Sequence, residues 1–299
     1  SSQEQLMRRL LSRFIRLFIP LAVAIALSGL VWWLGLYRNQ VAGQHWGSRW
    51  FSSFFVGDPS LYAALRESAF GFDHRFVPPG WSISWEFFGS IALLISCLLF
   101  REYRRGIIFG GVILVARIWV GEDAIYPMAI FLGYCINNLK SNKAMCWIAV
   151  IIGSILGAYT PLSPLYQELP KLYLLGYQIF RPKDFYNLPG GFLVVYAISN
   201  GFGQKILSHG ILLWLGRVSF SLYITHFTLL ASFVASLSLL IKKSAHDLTG
   251  LLFIYIFFAL TLAGIFEFFV DRPAINLSRS VADRLMKVLR IGNSMRLGV

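Results

Sequence analysis

What most constrains this chain is a series of eight apolar stretches almost free of charge: 17–36, 82–100, 106–120, 125–139, 145–160, 191–203, 218–240 and 250–270. The hydrocarbon core of a bilayer is about 30 Å thick, and roughly 20 apolar residues of helix cross it, fewer where neighbours shield the ends. Lipid offers no water to satisfy backbone N–H and C=O groups, so such stretches must be helical. Only Glu86, Arg117 and Glu267 remain as charges inside them. Composition agrees: 57% of the 299 residues are hydrophobic and 14% are charged, against about 45–50% and 25% in soluble domains. The expected fold is all-α, a polytopic membrane helix bundle of about eight transmembrane helices.

The net charge of +13 then finds an explanation in orientation. With the N-terminus in the cytoplasm, the inner loops (1–16, 101–105, 140–144, 204–217, 271–299) hold 17 Lys/Arg, and the longer outer loops (37–81, 121–124, 161–190, 241–249) hold nine. That asymmetry follows the positive-inside rule and places both termini in the cytoplasm. The charge therefore implies a lipid bilayer as partner and no nucleic acid. Cys97, Cys135 and Cys146 form no C-x-x-C pair, and His45, His74, His209 and His246 lie in loops without ligand spacing. No metal site is expected. One membrane domain, 1–275, is expected, followed by a basic cytoplasmic tail, 276–299.

Four groups of residues have chemistry to offer. Arg9, Arg13 and Arg16 in "RRLLSRFIRLFIP" share one helix face, ahead of a bend expected at Pro20. Guanidinium forks bind phosphate bidentately, and an anchor gripping lipid headgroups needs the same residues. In "VPPGWSISWEFFGS", Ser82, Glu86 and Ser90 form a polar stripe beside Trp81 and Trp85. Ser82 is placed to cap the new helix, and this topology puts Glu86 about one turn below the outer surface. In "LGRVSFSLYITHF", Ser219, Tyr223 and His226 fall on one face and Arg217, Ser221 and Thr225 on the opposite one. A helix with two polar stripes cannot turn both to lipid, so this one is expected among other helices. In "FEFFVDRPAINLSR", Glu267 and Asp271 are four apart with Arg272 as a partner, and Pro273 is expected to end the helix.

Taken in order, these motifs resemble the acyltransferase-3 family of integral-membrane acyltransferases. The resemblance rests on R-x-x-R with a following proline (Arg13, Arg16, Pro20) and W-S-I-x-x-E (Trp81 to Glu86) with Gly89 and Ser90 behind it. It continues through the glycine in "IFLGY", the run from Leu215 to His226, and Asp271-x-Pro273. It implies an O-acetylation type of chemistry, with an acyl group, acetyl first, moving from acyl-CoA to a hydroxyl of a glycan, lipid or small molecule. Arg13 and Arg16 would meet the CoA phosphates. His226, Tyr223 and Glu86 would be the catalytic candidates, with Trp81, Ser82 and Ser219 lining the substrate channel. Acyl-CoA would be a donor substrate, with no permanently bound cofactor. Members usually have ten spans, the first carrying Arg and then an essential His, so the resemblance implies two further helices ahead of Ser1. Family members usually carry Glu where this chain has Asp271. A rival reading is a transporter using Glu86, Arg117, His226 and Glu267 as a substrate or proton path, and a third is a structural or receptor-like bundle.

Overall fold

The structure, a computed structural model, describes residues 2–38, 76–99, 125–136, 139–160, 173–174, 177–178, 182–241 and 244–296. In chain order its helices are α1 (Ser2–Trp33), α2 (Gly80–Leu99), α3 (Ile125–Ile136), α4 (Lys143–Gly157), α5 (Pro182–Ser199), α6 (Gln204–Leu207), α7 (Gly210–Leu229), α8 (Ala245–Phe266) and α9 (Arg272–Arg296). A π-helical turn, Leu230–Val234, and a closing turn, Ala235–Ser238, extend α7; a second π turn, Glu267–Asp271, joins α8 to α9. Among the described residues one ladder is present, short and antiparallel, β1 (Tyr173–Leu174) with β2 (Tyr177–Gln178). The fold is thus all-helical in substance. Among the described residues, three helices are long and apolar enough to cross a membrane: Met7–Trp33, Gly210–Ser238 and His246–Val288. Gly80–Ile95, Ile125–Ile136 and Lys143–Gly157 are apolar but shorter. The expected span 106–120, with Arg117, lies outside the described residues. Two compact units result, one from residues 1–91 and 213–299 and the other from 92–212.

The first unit is organised by a descent of the chain into its core. Phe76 and Val77 are buried, as are both prolines and the glycine of "VPPG". Ser28 Oγ donates to the Phe76 carbonyl at 2.5 Å, and Gly80 sits close to the Leu21 side chain. So α2 starts beside the middle of α1, not at its end, and runs antiparallel to it. Leu17, Leu21, Ile25, Val77, Ile83, Ile224 and Phe266 close the core around this junction. α1 itself passes through Pro20 as one helix of 32 residues, leaving the Arg16 carbonyl without its usual intrahelical donor.

Expected boundaries move. The helix expected from 218 already begins at Gly210, taking in Trp214 and Arg217. The helix expected to stop at Pro273 does not stop there. In the π turn, the Arg272 N–H bonds the Glu267 carbonyl, five residues back. Pro273 thereby falls in the first turn of α9, where an N–H would lack a partner anyway. No break in the chain marks the junction at 275–276. Ala274, Ser278 and Ala282 are buried at helical spacing against α1, and Arg8 pairs with Asp283 at 3.0 Å.

In the second unit α4 and α5 cross with almost no space between them. A Cβ on Gly190 would stand 2.3 Å from the Gly157 nitrogen and 2.9 Å from the Gly153 carbonyl oxygen. Small residues four apart allow this approach, as they do in membrane helix pairs. Below the crossing, Cys146, Ala149, Tyr196 and Ala197 are buried together; at its other end the rings of Tyr159 and Tyr186 stack at 4.7 Å. α5 begins at Pro182, nine residues ahead of the expected 191, and accommodates Pro189 within it. It ends where Gly201 turns to φ 96° and Phe202 N–H bonds back to Ala197 at 3.0 Å, a closure that needs a left-handed residue.

Candidate functional site

α2 carries the link between the other functional elements. Its stripe Ser82, Glu86, Ser90 repeats every four residues, so the three side chains stand above one another on one face. At one end Ser82 Oγ meets the Tyr223 hydroxyl at 2.7 Å and donates to the Pro79 carbonyl at 3.1 Å. Ser82 is therefore inside the first turn and does not cap it as expected. One turn on, Glu86 accepts from Arg13 Nη2 at 2.5 Å; another turn on, Ser90 Oγ accepts from Arg13 Nε at 3.0 Å. From its sequence position Glu86 is expected at the outer rim, with Arg13 at the opposite end of the same bundle. The structure overturns that placement: Glu86 is joined to Arg13. The reason is the buried "VPPG", which starts α2 deep in the core and carries Glu86 down toward the arginine end of α1.

That end gathers charge. Arg16 is exposed and within electrostatic reach of Asp271, as is Glu267. Arg272 grips Glu267 with both its Nε, at 3.2 Å, and its Nη2, at 2.9 Å to the second oxygen. An ordinary α-helix would turn residues five apart by about 140° from each other; the π turn brings this pair onto one side. The expected ion pair of Glu267 and Arg272 is present. Arg13 retains donors on its second Nη, since a guanidinium has five N–H groups. It is oriented rather than consumed by Glu86 and Ser90.

The second cluster lies on α7. Ser221 and Thr225 are buried at 0% and 1% exposure, so the stripe they form is the one turned into the core. Ser219, Tyr223 and His226 take the other side and line a groove of about 400 Å³ against Tyr255, Ile256, Ala259 and Leu260 of α8. The rings of Tyr223 and His226 are 6.3 Å apart. His226 Nδ1 lies 2.9 Å from the Leu222 carbonyl; a carbonyl can only accept, so the ring proton of the neutral form sits on Nδ1 and Nε2 keeps its lone pair. Trp81 is half-buried in the first turn of α2. Tyr255 is the residue the sequence concealed. It stands alone in "LLFIYIFFAL", with no polar neighbour at helical spacing to mark it.

Ser82 and Glu86 are one turn apart, a rise of about 6 Å. The Tyr223 groove and the arginine end are thus bridged by a single face of α2. Such an arrangement can hold an anion by its guanidinium groups and, close by, abstract a proton from a hydroxyl at an imidazole. No protein-family model, curated protein or solved structure matches this chain.

Proposed function

We propose that this chain is a multi-pass membrane acyltransferase, both termini cytoplasmic, that moves an acyl group from acyl-CoA to an acceptor hydroxyl. The observation that carries the reading is the α2 stripe, which connects Tyr223 to Arg13 through Ser82 and Glu86. Donor and acceptor must meet within bond-forming distance, and one helix face touching both clusters supplies that proximity. The family resemblance of the sequence motifs supports the same chemistry independently.

In this reading Arg13 and Arg16 bind the CoA phosphates, Arg13 held in place by Glu86 and Ser90. His226 Nε2 takes the proton of the acceptor hydroxyl as its oxygen attacks the thioester carbonyl. The tetrahedral oxyanion collapses, the C–S bond breaks, and the CoA thiolate recovers the proton from the imidazolium. The hydroxyl of Tyr255, across the groove, is the candidate donor to the oxyanion. Against a transport path stands the pairing of Glu86 and Glu267, each engaged by an arginine; a proton relay uses carboxylates that change partners.

Membranes holding the protein, supplied with acetyl-labelled acetyl-CoA, test the proposal. Label is expected in a lipid, glycan or small-molecule fraction, falling at least about 100-fold in His226→Ala. Acetyl-CoA affinity is expected to fall about tenfold or more in Arg13→Ala with Arg16→Ala, and its salt dependence to flatten. Undiminished label in His226→Ala, or unchanged affinity in the double variant, removes the corresponding role.

A further inference from the structure

The groove between α7 and α8 has a hydrogen-bonding polarity that its composition hides. Ser219 Oγ donates its proton to the Gly216 carbonyl at 2.9 Å. Ser82 Oγ donates to the Pro79 carbonyl, so in the 2.7 Å contact between Ser82 and Tyr223 the phenol is the donor. In its neutral form the His226 ring spends its proton on the Leu222 carbonyl. All three polar groups on the α7 wall have their protons committed, and each presents only lone pairs to the groove. Among the described lining residues, the α8 wall adds one hydroxyl, that of Tyr255, and no residue is a carboxylate or a cation.

This combination selects a ligand. An anion would meet three acceptors and a single donor. A cation would be drawn from water into an apolar groove with no countercharge, at a cost of several kcal/mol. A neutral group rich in O–H donors meets acceptors in the right number. The remaining walls, among them Leu222 and Ile256, are apolar, and on the same face of α8 the apolar side chains Leu252 and Leu248, one and two turns before Ile256, are exposed. The groove's size falls within the roughly 300–1,000 Å³ of small-ligand sites.

We propose that this groove binds the hydroxyl-bearing head of a neutral amphiphile, its apolar chain lying along α8, with Tyr255 supplying the one donor. The fate of the bound hydroxyl rests on the acyl-transfer reading; its binding does not.

The test uses the full chain in phosphatidylcholine nanodiscs, without acyl-CoA, and an alkyl glucoside carrying a photoreactive group on its chain. Cross-links mapped by mass spectrometry are expected on α7 and α8. Octyl glucoside is expected to compete, whereas octyltrimethylammonium, octyl sulfate and free glucose are not. Tyr223→Phe with His226→Phe keeps both side chains aromatic and removes two acceptors, and should lower labelling about tenfold, as expected from two hydrogen bonds. Tyr255→Phe, milder for folding, should lower it about threefold. Equal competition by octyltrimethylammonium overturns the proposal, as does labelling indifferent to these variants, which would indicate simple partition into an apolar cleft. Specific labelling without acetyl transfer would retire the acyl-transfer reading alone; acetyl transfer without labelling would retire this inference alone.

Discussion

At the scale of single residues, the structure separates positions that the sequence treats alike. Gly190 and Gly191 are neighbours, yet a Cβ on Gly190 meets backbone at 2.3 Å while one on Gly191 meets nothing within 4 Å. Backbone cannot step aside as a side chain can. Gly190→Ala is therefore expected to cost about 3 kcal/mol and to reduce the folded yield, and Gly191→Ala to be nearly neutral. Thermal unfolding of the two variants side by side decides it; equal melting temperatures would mean that α4 and α5 do not cross as described. Tyr37 gives a pH dependence. Burial pushes its phenol above the usual 10.0, against hydrogen bonds with Ser28 and Thr228 that lower it. The protonated phenol is favoured in the fold, so its contribution is complete below about pH 10 and is lost as the pH rises beyond it. Melting temperature is expected to fall as the pH rises past about 10. Tyr37→Phe should start lower, its hydrogen bonds gone, and show less of that fall.

At the scale of elements, the π turn Glu267–Asp271 amounts to one extra residue housed in an otherwise continuous helix. Phe269 within it is 69% exposed. Deleting Phe269 together with Pro273→Ala should return the segment to α-helix, keep Arg272 facing Glu267 and shift the melting temperature by only a few degrees. Deleting Phe257, also exposed but inside regular α8, rotates everything after it by about 100°. That turns Asp271 and the Ala274–Ser278–Ala282 stripe away from α1, and the protein should fail to fold. Tolerance of the Phe257 deletion would show that α1 and α9 do not depend on that face. These elements also show what could be read in advance. The two polar faces of α7 were legible because spacing alone fixes them, and so was the pair of Glu267 and Arg272. The partner of Glu86 was not, since it depends on how deep "VPPG" descends beside Leu21, a matter of tertiary packing. Pro273 misled because the π turn before it resets the backbone pairing, which puts the proline in the first turn of α9. Tyr255 was silent because its role comes from the facing wall.

At the scale of the whole molecule, the distribution of 17 against nine basic residues makes a topological prediction. In a protein with its three cysteines replaced, Ser244→Cys should react with an impermeant thiol reagent in intact cells, and Ser141→Cys only once the membrane is opened. The reverse pattern would invert the assignment of both termini. The helix His246–Val288 has 43 residues, so it is about 65 Å long, about twice the hydrocarbon thickness. About half of that length exceeds the hydrocarbon thickness, and its far part is clasped to α1 through Arg8 and Asp283. Such a rod is a lever. Tilting it by about 10° about one end moves the other by roughly 11 Å, and the clasp hands that movement to α1, whose Arg13 is held by Glu86 and Ser90. Whatever grasps the far end of this helix holds a handle on those contacts.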